Sequence, residues 1–552
     1  MMRLLKIFSR RRDEGEGEAL SLFRGEAPKT IEEATERYPY LADYLEKLKV
    51  KPRYVVNLDL ELNVGEEANI LYPLRKGIFV HVMSGEEIGR YNIIEPPKPE
   101  PDVMEHVESA IAKIVDEKPL EPGGGEEQLV SLFRLAKRKR LIKLKTGDER
   151  NALYYFLREK VGYGFLDSFL ADPFLEDISI PGAGNIFVYH KLFGSLETNV
   201  KISKDEIDRM LRSIAERYGK ILSYSNPIID IHLPDGSRFN IVFGEDISLR
   251  GSNFTIRKFP KEPISVAHLI KWNTMSAELA AYLWMLLEVG VSCMVCGETA
   301  SGKTTTLNAL MAFIKPNFKI VSIEETPEVN LFHKNWIREV TRLHTGSPVT
   351  MFDLLKAALR QRPDYIIVGE IRGEEGRIAF QAIETGHPVI STMHAGNLQQ
   401  LFQRLTSDPI NVPKTHINAL NLTIFQARME RGKKLIRRVT SVNEIIGYDP
   451  DEGRLNFLPT FMYDPDTDTH NFMKISFLLE NVVLPFRGWG KERLPELYKE
   501  LEMRKEILSY LAEKHPRYMD VWRTIIEIDR RGINDVYSMI EKGEAPWIDQ
   551  GT

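Results

Sequence analysis

The string Gly297-Glu-Thr-Ala-Ser-Gly302-Lys303-Thr304 constrains this chain more than any other feature. Two glycines, a lysine and a hydroxyl residue at this spacing wrap backbone N–H groups around phosphate oxygens. The flanks fix the local fold. An apolar run, Val291-Ser-Cys-Met-Val-Cys296, precedes the string, and Thr305-Thr-Leu-Asn-Ala-Leu310 follows it. Strand, tight loop and helix are thus expected in register, with the positive end of the helix aimed at an anion. The expected nucleotide-binding residues are Gly297, Glu298, Thr299, Ala300, Ser301, Gly302, Lys303, Thr304 and Thr305. Lys303 is expected on the β and γ phosphates of ATP and the Thr304 hydroxyl on Mg²⁺.

Helix and strand alternate beyond the break Lys258-Phe-Pro-Lys-Glu-Pro263. The pattern predicts helices over 276–288, 303–314, 350–360 and 375–385, and strands over 292–296, 319–323, 365–368 and 389–393. These strands are short, apolar and β-branched, as in a parallel sheet covered on both faces. The two cysteines, Cys293 and Cys296, both fall on the first strand. Residues three apart on a strand face opposite sides, so they are expected as buried core residues and not as a shared metal site.

A phosphate cradle binds but does not hydrolyse; hydrolysis needs carboxylates at the same edge. Tyr365-Ile-Ile-Val-Gly-Glu370 is an apolar run ending in an acid, the layout of a Walker B element with Glu where Asp is usual. Glu370 can hold Mg²⁺, through water. Ile320-Val-Ser-Ile-Glu324-Glu325-Thr-Pro-Glu328 is a second such run, able to set a general base beside the γ phosphate. A third, Val389-Ile-Ser-Thr392-Met-His394, brings His394 and Thr392 to the same edge as candidates for sensing the nucleotide.

Thr326-Pro-Glu, Arg362-Pro-Asp-Tyr-Ile-Ile-Val-Gly-Glu-Ile-Arg372 and Gly386-His-Pro-Val-Ile-Ser-Thr-Met-His-Ala395 together resemble the secretion-superfamily ATPases. These power type II secretion, type IV pili, type IV secretion and the archaellum. The likeness covers residues 150 to 450, and the segment Gly386 to Lys414 looks most like archaeal members. It implies that Glu324 is the catalytic glutamate of the "Asp box", with Glu325 standing where Asp is usual. It further implies that Glu370 is the Walker B acid and His394 the "His box". Arg238 and Arg257 then match arginines that the family presents to nucleotide phosphates; surface charges on a hairpin are the other reading. No cysteine follows the His box, so the four-cysteine zinc module of bacterial relatives is not expected.

The resemblance implies an α/β fold. A RecA-like P-loop NTPase domain is expected over 263–477, preceded by a mixed α/β, PAS-like lobe over 150–262. The other expected parts are a small mixed domain over 1–95, a linker and helical segment over 96–149, and a helical extension over 478–552. The implied function is a Mg-dependent ATPase motor, a homohexameric ring at the inner face of the cell membrane. Its partners would be a polytopic membrane platform protein and accessory cytoplasmic motor proteins. Archaellum rotation, archaeal pilus assembly and type II-like secretion stay open, in that order, and a nucleic-acid translocase on the same core stands further off.

Composition limits the rest. A chain of 552 residues is too long for one hydrophobic core. A net charge of −5 gives little support to a surface built for nucleic acid. No stretch reaches the ~20 apolar residues a membrane span needs. At the N-terminus, Leu4, Leu5, Ile7 and Phe8 with Arg10, Arg11 and Arg12 fit a membrane-surface contact, or, more commonly for such segments, a frayed end. The basic run Arg134 to Lys145 fits a phosphate or membrane contact, or a solvated helix face.

Overall fold

The computed structural model describes residues 27–56, 58, 68–75, 77–85, 87–117, 125–144, 146–259, 262–342, 347–432 and 434–548. The N-terminal apolar and basic residues at 4–12, and Lys145 at the end of the basic run, lie outside them. The chain divides into two compact units, Met1–Lys261 and Glu262–Thr552. Among the described residues no helix is long and apolar enough to cross a membrane.

The first unit is built on ten strands: β1 (Arg53–Tyr54), β2 (Asn69–Arg75), β3 (Ile78–Met83), β4 (Gly89–Ile94), β5 (Leu175–Ile180), β6 (Gly184–His190), β7 (Gly194–Ile202), β8 (Ile228–His232), β9 (Arg238–Val242) and β10 (Asn253–Arg257). Their order is β1-β2-β3-β4-β7-β6-β5-β10-β9-β8. The parallel pairing of β4 with β7 joins the strands on either side of the proline-rich stretch Glu95-Pro-Pro-Lys-Pro-Glu-Pro-Asp102 into one sheet. Alternation on β3 shows how the two faces are filled. Ile78, Val80 and Val82 enter one core with Val107, Phe133 and Phe156 of the covering helices. Phe79 points the other way, onto Tyr38 and Leu41. The proline-rich stretch itself is docked, since the Tyr155 hydroxyl donates to the Pro96 carbonyl at 2.8 Å and Arg158 pairs with Glu95 at 2.7 Å. Pro234-Asp-Gly-Ser237 makes the turn between the antiparallel pair β8 and β9, with Gly236 at φ +88°.

The second unit carries nine strands: β11 (Cys293–Gly297), β12 (Ile320–Glu324), β13 (Trp336–Val340), β14 (Tyr365–Val368), β15 (Val389–Met393), β16 (Leu422–Arg431), β17 (Lys434–Asp449), β18 (Arg454–Asp464) and β19 (Thr469–Phe472). The order is β13-β12-β14-β15-β11-β16-β17-β18-β19. The first six run parallel, and the last three extend the sheet from β16 by antiparallel pairing. This is the expected RecA-like α/β arrangement, with the glycine-rich loop leaving a central strand. Cys293 and Val295 face one core, and Met294 and Cys296 face the other. Both cysteines are free and buried, on opposite sides of β11 as their spacing predicts.

Helices Leu494–Lys514, Tyr518–Arg531 and Ile533–Glu541 close one face of this sheet, placing Leu501, Leu508 and Trp522 in the same core as Leu283 and Trp284. Arg504 is buried there, its guanidinium 4.4 Å above the Trp284 ring. Its Nη2 donates to Glu288 at 2.6 Å and to Glu500 at 2.7 Å. A buried charge persists only when paired in this way.

Candidate functional site

The site is assembled at the carboxyl ends of β11, β12, β14 and β15, where a parallel α/β sheet leaves a crevice. β11 ends at Gly297, and the helix Lys303–Leu310 begins after five loop residues. Ala300 and Gly302 hold the left-handed conformation, at φ +61° and +96°. A Cβ on Gly297 would lie 2.2 Å from the Gln426 carbonyl of neighbouring β16, so only glycine lets the loop start there. The Gln426 side chain accepts the Thr306 hydroxyl at 2.6 Å, and Arg437 Nε donates to the Ala300 carbonyl at 3.1 Å. One residue of β16 and one of the antiparallel extension therefore brace the loop.

Lys303 is buried, and its Nζ donates to the Glu298 carbonyl at 3.0 Å. The same nitrogen lies 3.3 Å from His394 Nδ1. His394 Nε2 in turn lies 3.3 Å from Glu370 Oε1, while Arg372 holds Glu370 Oε2 at 2.5 Å. Burial, then Lys303, lowers the His394 pKa. A lowered pKa favours the neutral ring, whose Nδ1 can accept from Lys303 while Nε2 lies beside Glu370 Oε1 without a hydrogen bond to it. Residues from three strand ends are thereby linked into one chain. The turn after Glu370 is fixed by Glu375, whose Oε1 accepts the N–H groups of Arg372 and Gly373, each at 2.6 Å. Thr392 donates to the Gly369 carbonyl at 2.8 Å, locking the ends of β14 and β15 together.

Glu324, the last residue of β12, is 1% exposed. Its Oε1 accepts the backbone N–H groups of Glu328 and Val329, both at 2.7 Å. Oε2 accepts no hydrogen bond and faces Arg338 Nε on β13 at 3.7 Å. Desolvation outweighs these contacts and raises the carboxyl pKa to about 7. Glu325 next to it is exposed. The loop that cradles Glu324 is tied to the helix after the glycine-rich loop by Asn308. Its Nδ2 donates to the Glu328 carbonyl and its Oδ1 accepts from Asn330 N, both at 2.9 Å.

These residues fit a nucleoside triphosphate with Mg²⁺. A cradle that side chains would fill, a helix amino end and a buried lysine are all features of a phosphate site. Thr304, at the start of that helix, is half-buried. Among the described residues no cluster of three or more His, Cys, Asp or Glu could hold a metal alone. Magnesium that takes its other ligands from phosphate and water needs no such cluster.

The structure brings together the loop residues, Glu324, Glu370 and His394. Arg238 and Arg257 lie in the first unit, where they face each other in register on β9 and β10. Arg238 Nε is 3.2 Å from Asp230, and Arg257 is exposed. Asn308, Arg338, Gln426 and Arg437 were not singled out from the sequence. Asn308 had a signal available, an amide set among the apolar Leu307, Ala309 and Leu310; the others are defined by pairing across the sheet.

Fold and site define a RecA-like α/β protein with a glycine-rich loop between β11 and the helix that starts at Lys303. The chain belongs to the type II/IV secretion system protein family, whose sequence model matches residues 159–440. It is thus a member of the type II/IV secretion superfamily of ATPases. An uncharacterized protein of Methanocaldococcus jannaschii, MJ0900, is 42% identical over 519 residues, covering 88% of this chain and 94% of its own. Protein VirB11 of Agrobacterium fabrum is 28% identical over 267 residues, or 43% of this chain and 77% of VirB11. Among solved structures, the Legionella pneumophila ATPase DotB is 18% identical and aligns over 69% of this chain and 95% of its own, with a TM-score of 0.38.

Proposed function

We propose that the protein hydrolyses Mg-ATP and uses the cycle as a motor for an archaellum or type IV pilus-like filament, with type II-like secretion as the next reading. The observation that carries the hydrolytic part is the chain Lys303–His394–Glu370, which gives the nucleotide's charge a route to three strand ends. In this reading the loop N–H groups and Lys303 hold the phosphates, Thr304 and Glu370 hold Mg²⁺, the latter through water, and His394 reports on the γ phosphate. Glu324 takes a proton from water as the water oxygen bonds to the γ phosphorus; the bond to the β–γ bridging oxygen breaks, and ADP leaves with that electron pair. Arg238 and Arg257 serve as cations for nucleotide phosphates. The working assembly is a homohexameric ring, peripheral at the cytoplasmic face of the membrane, acting on a polytopic platform protein with accessory cytoplasmic motor proteins. The archaeal relative supports the archaeal machines over the bacterial ones.

The test is steady-state hydrolysis by the wild type and Glu324→Gln, with mass measured with and without ATP and Mg²⁺. Expected are magnesium-dependent turnover, a loss of roughly 100-fold or more in the variant with ATP still bound, and a nucleotide-favoured hexamer. Wild-type protein that binds ATP but never turns it over, with platform protein and lipid present, would refute the motor reading.

A further inference from the structure

The Glu324 carboxylate is held by the backbone N–H groups of Glu328 and Val329 on one oxygen only. The two N–H donors at 2.7 Å both meet Oε1, and Oε2 is the oxygen left to work on water. We infer that Arg338 is a positioning residue for hydrolysis, aiming Oε2 of Glu324 and favouring its ionised form. The inference rests on Glu324 being the base.

The placement follows from the strand pair. β13 runs parallel to β12, with Ser322 in register with Arg338 and Glu324 with Val340. Arg338 therefore starts two residues short of the carboxylate, on the adjacent strand, and its long side chain spans that offset to bring Nε to 3.7 Å from Oε2. The guanidinium is not left to wander. Its Cζ sits 5.3 Å from the centre of the Trp336 ring, within cation–π range. Trp336 is itself pinned, because its Nε1 donates to the Ser322 hydroxyl of β12 at 2.8 Å. Ser322, Trp336 and Arg338 thus form a bracket across two strands that ends at the reacting oxygen. At 3.7 Å the contact is an ion pair without a short hydrogen bond, so Oε2 keeps its lone pairs for the water proton.

The electrostatics agree. The charged groups acting on Glu324 are Arg338 from β13 and Glu328 from its own loop; the first favours the carboxylate and the second opposes it. Arg338 has its own pKa lowered by burial and raised by Glu324, as expected of a cation kept in a partly dry place for a partner. Lysine at this position can keep the charge but not the guanidinium that lies over the Trp336 ring.

The experiment compares wild type, Arg338→Lys, Arg338→Met and Glu324→Gln as full-length chains, reading kcat, KM for ATP, affinity for a fluorescent ATP analogue and the pH profile of kcat. Arg338→Met should lower kcat roughly 10- to 100-fold with KM and analogue affinity within about 2-fold. The acid limb of its profile should move to higher pH by about one unit, since an opposite charge has gone. Arg338→Lys should recover part of kcat and return the limb toward the wild-type position. If kcat falls while the limb stays put and lysine recovers nothing, Arg338 is merely structural and the inference is overturned. If Arg338→Met turns over like wild type, it is overturned as well. If Glu324→Gln itself keeps wild-type turnover, the failure lies with the choice of base and not with Arg338 alone.

Discussion

Removing the Glu324 charge should stabilise the protein while it abolishes turnover. The carboxyl pKa rises from an ordinary 4.5 to about 7 because burial opposes ionisation. The folded state then keeps a proton that the unfolded state releases, so stability falls as pH rises from 4.5 through 7. At ~1.4 kcal/mol for each pH unit between the two values, the ionised group costs the fold ~3 kcal/mol at pH 8. Glu324→Gln removes this cost, and its amide oxygen can still accept the N–H groups of Glu328 and Val329. The amide N–H₂ that replaces Oε2 then faces the Arg338 donors, which subtracts from the gain and leaves ~2 kcal/mol. In a unit of about 290 residues that corresponds to a Tm higher by ~3–4 °C at pH 8, shrinking to ~1 °C or less at pH 5. The assay is nucleotide-free thermal unfolding followed by tryptophan fluorescence. All six tryptophans belong to the second unit, so the signal reports on the unit that carries Glu324. An offset between wild type and variant that is the same at pH 5 and pH 8 would refute the reasoning.

Two further outcomes follow from the geometry. Gly302→Ala puts a side chain at φ +96° and a Cβ 3.0 Å from the Gln426 amide. Strain of ~1–2 kcal/mol should distort the loop, so titration with a fluorescent ATP analogue should show at least ~10-fold weaker binding; unchanged affinity would mean the loop tolerates the change. Arg504→Ala leaves the buried Glu500 with Arg487 as its remaining partner, strips the half-buried Glu288 of its 2.6 Å contact and uncovers Trp284. Breaking such a pair costs ~3–5 kcal/mol, which the same fluorescence melt should read as a Tm lower by ~5–8 °C; a loss of under ~2 °C would contradict the burial argument.

What the sequence made legible was whatever rests on short-range pattern. The strand, glycine-rich loop and helix at 291–310 share one local signal, and the apolar runs ending in Glu324, Glu370 and His394 point to one edge because parallel strands end together. The antiparallel extension was not legible. β17 contains Arg438 and Glu444, which break its apolar alternation, yet both are buried. Arg438 is matched by Asp468 at 2.7 Å, and Glu444 accepts the Tyr282 and Ser476 hydroxyls, each at 2.5 Å. A charge satisfied by a partner thirty or more residues away carries no sign of burial in its own neighbourhood. The same cause hid Gln426 and Arg338, whose roles exist only once β16 lies against β11 and β13 against β12. Arg372, by contrast, sits two residues from Glu370 and pairs with it directly.

The opposed faces of β11 also separate in time. The core that holds Cys296 draws on residues no later than Leu455, so every side chain it needs has been made well before the chain ends. The core that holds Cys293 draws on residues as late as Trp547 and Ile548. At ~5–20 residues per second of synthesis, one side of the nucleotide-loop strand waits some seconds longer than the other for its cover. The strand that presents the phosphate loop is therefore only half supported until the final helices are made.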